Sequence, residues 1–184
     1  MKKTLYIIGA IVVVVLLYCW TTYNSLTTAN IGVDGQWAQV ETVYQRRFDL
    51  IPNLVESVKG IMKQEQAVFT AIADARTRYS GATTIDEKAK AAGQVESALG
   101  RLLVITENYP ELKSSDTVNT LMSQLEGTEN RISFERKRFN DMSASFNVLT
   151  KKFPSSIIAS VFGFSSRTYF ESTVGAENAP KVQF

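Results

Sequence analysis

Five carboxylates could do chemistry if the fold brought them together: Asp49, Glu56, Glu65, Glu129 and Glu135. Two of them lie in the stretch YQRRFDLIPNLVESVKG, Tyr44 to Gly60, which mixes Arg46, Arg47 and a proline with apolar residues. Acid–base catalysis needs two such groups converging in a cleft, one held protonated while the other stays ionised. A metal would have to rely on carboxylates alone, because the sequence has no histidine and a single cysteine. That composition removes the commonest general base and metal ligand, and with them the Glu-x-x-His element of helical di-iron sites. It also leaves no intrachain disulfide. The expectation is a protein without catalytic residues, metal or cofactor, with a hydrolase as the remote alternative.

The spacing of the charges suggests a structural use. From Val33 a seven-residue frame places Val33, Val40, Arg47, Leu54, Ile61, Val68 and Ala75 in one column, and Trp37, Tyr44, Ile51, Val58, Glu65, Ile72 and Tyr79 in the other. Arg47 and Glu65 are the charged interruptions of this seam, and a buried charge needs a partner. Counting along the helices pairs Glu65 with Arg101, and pairs Arg47 with Glu129 if their two helices run parallel from level starts. Arg136, Lys137 and Arg138 splay around more than half a helix and read as a solvated face. With a formal net charge of +2, no nucleic-acid partner is expected.

The elements that position these residues are all helical. The first seam predicts one long helix over 33–79, bent but not broken at Pro52, which removes one hydrogen bond. Thr84 with Glu87 reads as a capping box that starts a second helix, whose stripe runs Ala91, Val95, Ala98, Leu102, Ile105, Tyr109 up to Pro110. A third helix carries Val118, Leu125, Ile132, Phe139, Phe146 and Phe153 at intervals of seven, with Leu121, Thr128, Glu135, Met142 and Leu149 beside them. Pro154 stops it, and Ile157, Ile158, Val161 and Phe162 mark a short fourth helix. The fold class is all-α: an N-terminal transmembrane helix, then an elongated antiparallel bundle of three long helices plus a short fourth.

The anchor is read from the first residues. Leu5 to Tyr23 carries no charge and gives roughly 29 Å of helix, close to the ~30 Å hydrocarbon core of a bilayer. A cleaved signal peptide is the alternative, but no good small-residue cleavage site follows the apolar run. Lys2 and Lys3 precede the span and the next basic residue is Arg46, which places the N-terminus in the cytoplasm and the domain outside. Trp20 and Tyr23 fall at the outer interface. Cys19 reads as a small buried thiol, since the bulky Tyr18 before it is a poor context for lipidation. The expected division is 1–4 cytoplasmic, 5–23 transmembrane, 24–32 linker, 33–162 bundle and 163–184 tail.

A helix over 33–79 would be about 70 Å long, twice the length of the second. The lower stripe, Val33, Trp37, Val40 and Tyr44, then lacks full intrachain cover unless the YPELKSSD loop and the third helix extend down to it. An open apolar stripe implies a partner, and we expect homo-oligomerisation through it and the anchors.

The stretches RRFDLIPNLVESVKG, YPELKSSDTVNTLMSQLEGTENRISFERKRFNDMSASFN, FPSSIIASVFGF and YFES, behind an apolar anchor and TTYNSL, together resemble the LemA family of bacterial membrane proteins. The resemblance covers nearly the whole chain. It implies a helical bundle on one anchor in the bacterial cytoplasmic membrane, no established enzymatic activity, and in some relatives a link to membrane organisation or compartment formation. Arg47, Asp49, Pro52, Asn53, Glu129, Asn130, Arg131, Asn140 and Asn147 fall on the family's motif positions, to which it assigns no chemistry. The expected function is a membrane-anchored scaffold or adaptor that self-associates and organises or remodels the bilayer. Its partners are the lipid bilayer, further copies of the chain and, in one variant of this reading, another membrane protein. A ligand-sensing or receptor-partnering bundle is the alternative.

Overall fold

The structure is a computed structural model that describes residues 2–170. Six helices are described: α1 (Lys2–Lys59), α2 (Gln66–Gly81), α3 (Ile85–Thr106), α4 (Pro110–Lys113), α5 (Asp116–Lys151) and α6 (Ser155–Val161). The described residues contain no strand. They fall into two compact units, one made of the chain up to Val40 with Glu135–Tyr169, the other of Glu41–Phe134. The expected polar tail beyond residue 170 lies outside the described residues.

In the first unit, α1 begins with the apolar run and stays helical through 24–32, so the expected linker does not exist. Nothing in TTYNSLTTANIG is strong enough to stop a helix: Gly32 costs about 1 kcal/mol, which packing offsets. Residues 4–18 of α1 are exposed along their whole circumference, and α1 is long and apolar enough to cross a membrane. Thr21 returns its hydroxyl to the carbonyls of Leu17 and Tyr18, both at 3.0 Å, which satisfies it inside its own helix. Burial starts at Leu26 and continues with Val33, Trp37 and Val40 on one face.

That face meets α5. Trp37 packs edge-on against Phe139 with ring centroids 5.7 Å apart, and a Cβ at Gly32 would come within 3.0 Å of the Met142 side chain. Numbers fall on α1 as they rise on α5, so the two run antiparallel. Phe139 and Phe146 are fully covered, each contributing about 2–3 kcal/mol by the area it removes from water. The turn at 152–154 then directs α6 back, with Ser155, Ile158 and Ala159 facing inward. Phe153, which continued the sevenfold spacing in sequence, falls past the end of α5 and stands 75% exposed.

In the second unit the predicted helix over 33–79 is two helices. Pro52 stays within α1, on its exposed side. The break falls instead at 60–65, where Gly60 is followed by turns closed by Met62 N–H to Val58 O (2.9 Å) and Glu65 N–H to Met62 O (3.1 Å). Met62 takes the buried place that the seam assigned to Ile61. The chain folds back, and α2 brings Tyr79 against Tyr44 and Phe48. α3 returns, with Lys88 paired to Glu41 and Arg78 of α2 bonded to Gln94. The N-terminal part of α5 completes an up–down–up–down bundle around Ile51, Leu54, Val58, Ile72, Val95, Leu102 and Ile132.

The start of α3 is the expected capping box. The Glu87 carboxylate accepts from the Thr83 and Thr84 amides at 3.0 and 3.1 Å, while Thr84 Oγ1 accepts from Glu87 N–H. The Thr83 amide first, and then Thr84, hold Glu87 below the usual carboxylate range.

The third long helix, α5, and the fold-back of α2 together leave no open stripe. Val33, Trp37, Val40 and Tyr44 are all buried within the chain, Trp37 against Phe139 and Tyr44 against Tyr79. The stripe is core, and it cannot be the oligomer surface.

Candidate functional site

Arg47 is the one polar residue of the Tyr44–Gly60 stretch that points inward. Its position on the buried face of α1, level with Tyr44, Phe48 and Ile51, leaves its side chain 4% exposed. Nη2 donates to the Glu129 carboxylate and Nε donates to Thr128 Oγ1 at 3.2 Å. The Thr128 hydroxyl in turn donates to the Leu125 carbonyl at 2.7 Å. The bonds run in one sense: guanidinium to hydroxyl and carboxylate, hydroxyl to backbone. The expected Arg47–Glu129 pair exists, but the helices that carry it are antiparallel, so the parallel, level-start premise is corrected.

Thr128 was legible in principle. It is a polar residue in a seam column of α5, and two polar interruptions on facing helices are natural partners.

Beside Arg47 lies an aromatic cluster. Phe48 and Tyr79 meet edge to face at 4.5 Å, and Tyr44 lies 5.7 Å from Tyr79 and 6.2 Å from Phe48. Burial, then the Glu41 charge, then Tyr44, push the Tyr79 hydroxyl's ionisation well above the ordinary tyrosine range.

The remaining expected pair does not form. Glu65 accepts from the Tyr109 hydroxyl at 3.4 Å, and Arg101 is exposed on α3. The expectation assumed an unbroken helix through Glu65; the turn at 60–65 sets it instead just before α2, level with the far end of α3. Asp49 accepts from Gln45 at 2.8 Å on the surface, and Glu56 lies 3.7 Å from Lys59. Pro52, Asn53, Asn130 and Arg131 are exposed. The five carboxylates thus have five different surroundings. Among the described residues no group of three or more His, Cys, Asp or Glu side chains converges.

In the first unit a second polar network ties the chain after α6 to both long helices. Asn147, buried on α5, donates to the Arg167 carbonyl (2.8 Å) and the Tyr169 hydroxyl (2.9 Å) and accepts from the Arg167 amide (2.7 Å). The Arg167 guanidinium reaches α1, donating to Asn30 Oδ1 at 2.7 Å and lying 2.8 Å from Asp34. Nearby, Gln36 donates to Glu135 at 2.6 Å, and Arg138 lies 3.8 Å from the same carboxylate. Asn140 is half-buried on α5. Asn30, Asp34, Gln36 and Arg167 escaped sequence reasoning because their partners lie about a hundred or more residues away, beyond any local pattern. At the anchor, Lys2, Lys3 and Trp20 are exposed, Cys19 is half-buried, and Tyr23 packs at a tilt against Phe162 and Phe164.

Both networks hold elements together, using charge to fix which residues face each other. Neither presents a nucleophile with a base, or an acid with a base.

Comparison with known proteins agrees with the helical, membrane-associated character. The family model of the LemA family matches residues 36–184. The magnetosome protein MamQ of Magnetospirillum gryphiswaldense is 29% identical over 174 residues, covering 80% of this chain and 64% of that protein. Magnetosome protein MamQ 2 of Paramagnetospirillum magneticum is 26% identical over 175 residues, with 81% and 64% covered. The chain therefore spans 64% of the length of these curated relatives.

Proposed function

This chain belongs to the LemA family of membrane-associated helical proteins, and from that premise we propose that it is a single-pass scaffold or adaptor, without enzymatic activity or cofactor, that organises the bilayer holding it. The observation that carries the proposal is the absence of any hinge between anchor and folded unit. α1 passes from a lipid-type surface at Leu17 to a core face at Leu26 without leaving helical geometry. Fifteen apolar or uncharged positions, 4–18, are exposed on all sides before that point and have no cover within the chain; burial in lipid is worth about 25 cal/mol for each Å² removed from water. A unit fixed to its anchor in this way transmits its orientation to the membrane. Relatives named as magnetosome proteins support the reading, since that name ties them to a membrane-associated body.

The proposal includes the cytoplasmic membrane as the site, the N-terminus inside and the bundle outside. It includes self-association, which falls to the spans now that the Val33–Tyr44 stripe is internal, and it leaves room for another membrane protein as partner. Electron microscopy of the full-length protein reconstituted in vesicles tests it. Ordered assemblies or reshaped vesicles are expected; smooth vesicles carrying dispersed single copies at high protein density are the contrary result.

A further inference from the structure

The first unit exposes apolar side chains that the bundle does not use. Phe153, Ile157, Val161 and Phe162 are 75%, 57%, 74% and 56% exposed, although Ile158 and Ala159 between them are buried. On α6 the two sets fall on opposite sides: Ile157 and Val161 are one turn apart, facing away from the side that packs. Four large apolar side chains on so short a segment form a patch of the kind that marks an interaction surface.

Its position says what covers it. Phe162 packs on Tyr23 with ring centroids 4.8 Å apart, and Tyr23 is the last residue of the expected membrane span, 5–23. The antiparallel register gives the same answer. Gly32 faces Met142, and Tyr23 and Lys151 each lie nine residues further toward the same end, about 13 Å away. The end of α5 is therefore level with the end of the span, and α6 follows it. Cys19 and Thr22, inside the span, are already partly covered on the face that continues to Leu26.

The charges agree. No Asp or Glu occurs before Asp34 or between Asp141 and Glu171, while Lys151 and Lys152 stand exposed beside Phe153. Acidic residues, common elsewhere in the chain, are missing from the segments that lie at this level, which suits a layer of lipid phosphate groups.

We propose that Phe153 and α6 form a second membrane contact: their apolar side chains enter the interfacial layer of the leaflet at which α1 leaves the bilayer, with Lys151 and Lys152 at the headgroups. The occupant is the same bilayer that α1 crosses, since the patch is continuous with the span through Tyr23. The inference rests on the anchor reading above. It deepens that reading by adding volume to one leaflet only, which is a physical means of bending a membrane and of fixing the unit's rotation about α1.

Depth-dependent quenching tests it in full-length protein. Single cysteines carrying an environment-sensitive fluorophore are placed, in a Cys19→Ala background, by Val161→Cys, Ile157→Cys, Val13→Cys and Asp141→Cys. All four sites are exposed, so the fold is not at stake. The proteins are reconstituted in vesicles of phosphatidylethanolamine and phosphatidylglycerol. Nitroxide lipids should quench the labels at 13, 157 and 161, and aqueous iodide should quench only the label at 141. If the label at 13 is lipid-quenched while those at 157 and 161 respond like the one at 141, the second contact is wrong and the anchor stands. If the label at 13 also escapes lipid quenching, the anchor reading itself fails. Labels at 157 and 161 shielded from both quenchers, and released on dilution into excess lipid, would mean that a second copy covers the patch, which also overturns the proposal.

Discussion

Removing Glu129 tests whether the buried guanidinium of Arg47 depends on its partner. Two limits bracket the cost. Stripping one member from a fully buried ion pair costs about 3–5 kcal/mol, because the other is left charged in a poor solvent. An exposed pair is worth about 0.2–1 kcal/mol. Here the Arg47 side chain is 4% exposed and that of Glu129 is 41% exposed, so water can reach the vacated carboxylate position but not the stem of the arginine. Arg47 keeps its bond to Thr128. Glu129→Ala is therefore expected to destabilise the chain by about 2 kcal/mol, between the limits. In urea, with a slope of about 2 kcal/mol per molar, the midpoint should fall by about 1 M, read by circular dichroism of the full-length protein in a mild detergent. Arg47→Met replaces the charge with an apolar chain of similar reach and should cost less, about 1 kcal/mol, because nothing charged is stranded. The double variant should then resemble Arg47→Met alone, giving a coupling of about 1–2 kcal/mol. Additive losses, or a midpoint change under about 0.25 M for Glu129→Ala, would refute the view that Arg47 is held by this carboxylate.

Asn147→Ala removes three hydrogen bonds to residues 167–169 and should loosen that segment by about 2–3 kcal/mol. Trypsin should cut after Arg167 at least ten times faster than in the parent, and an unchanged rate contradicts the assigned role. Ser143 Oγ is fully buried without a hydrogen-bond partner. Ser143→Ala should therefore raise stability by about 1 kcal/mol, and a loss would show that the hydroxyl is satisfied after all. Tyr79 should govern part of the alkaline limb. Its folded ionisation lies above the unfolded value of about 10, so its stabilising effect is complete below that pH and is lost as pH rises past it, while the unfolded chain ionises first. Tyr79→Phe should flatten the decline in urea midpoint between about pH 10 and 12, and identical limbs for the two proteins would count against this cause.

Much of the helical plan was readable from one-dimensional signals. The capping box at Thr84 and Glu87 and the stop at Lys151 before Pro154 follow from chemistry within a turn of the helix end. The sevenfold spacing from Val118 to Phe146 marked buried positions correctly, because a seam facing a partner must repeat with the helix. The first helix was misread for a related reason. Its apolar rhythm continues across 60–65, and the turn there shifts the buried place from Ile61 to Met62 without leaving a gap in the pattern. Periodicity alone cannot tell one long helix from two that fold back in phase.

The ionic partners show the same division. Arg47 announced itself as a charge in an apolar column, and Glu129 as a reachable carboxylate on another helix. Glu65 announced itself in the same way, yet its partner is Tyr109, since its distance to any residue of α3 depends on where the chain turns. Asn147 with Arg167, and Arg167 with Asn30, join segments that no local rule links.

Helix type, the start of α3, the end of α5 and the apolar anchor were thus written in residues close together in sequence, where backbone hydrogen bonds and side-chain spacing act, and the lack of histidine chemistry in composition alone. Which stripes became core, which charges met, and that Phe153 and one side of α6 stayed outside were settled only when distant segments packed, because burial belongs to the pair of surfaces and not to either strand of sequence.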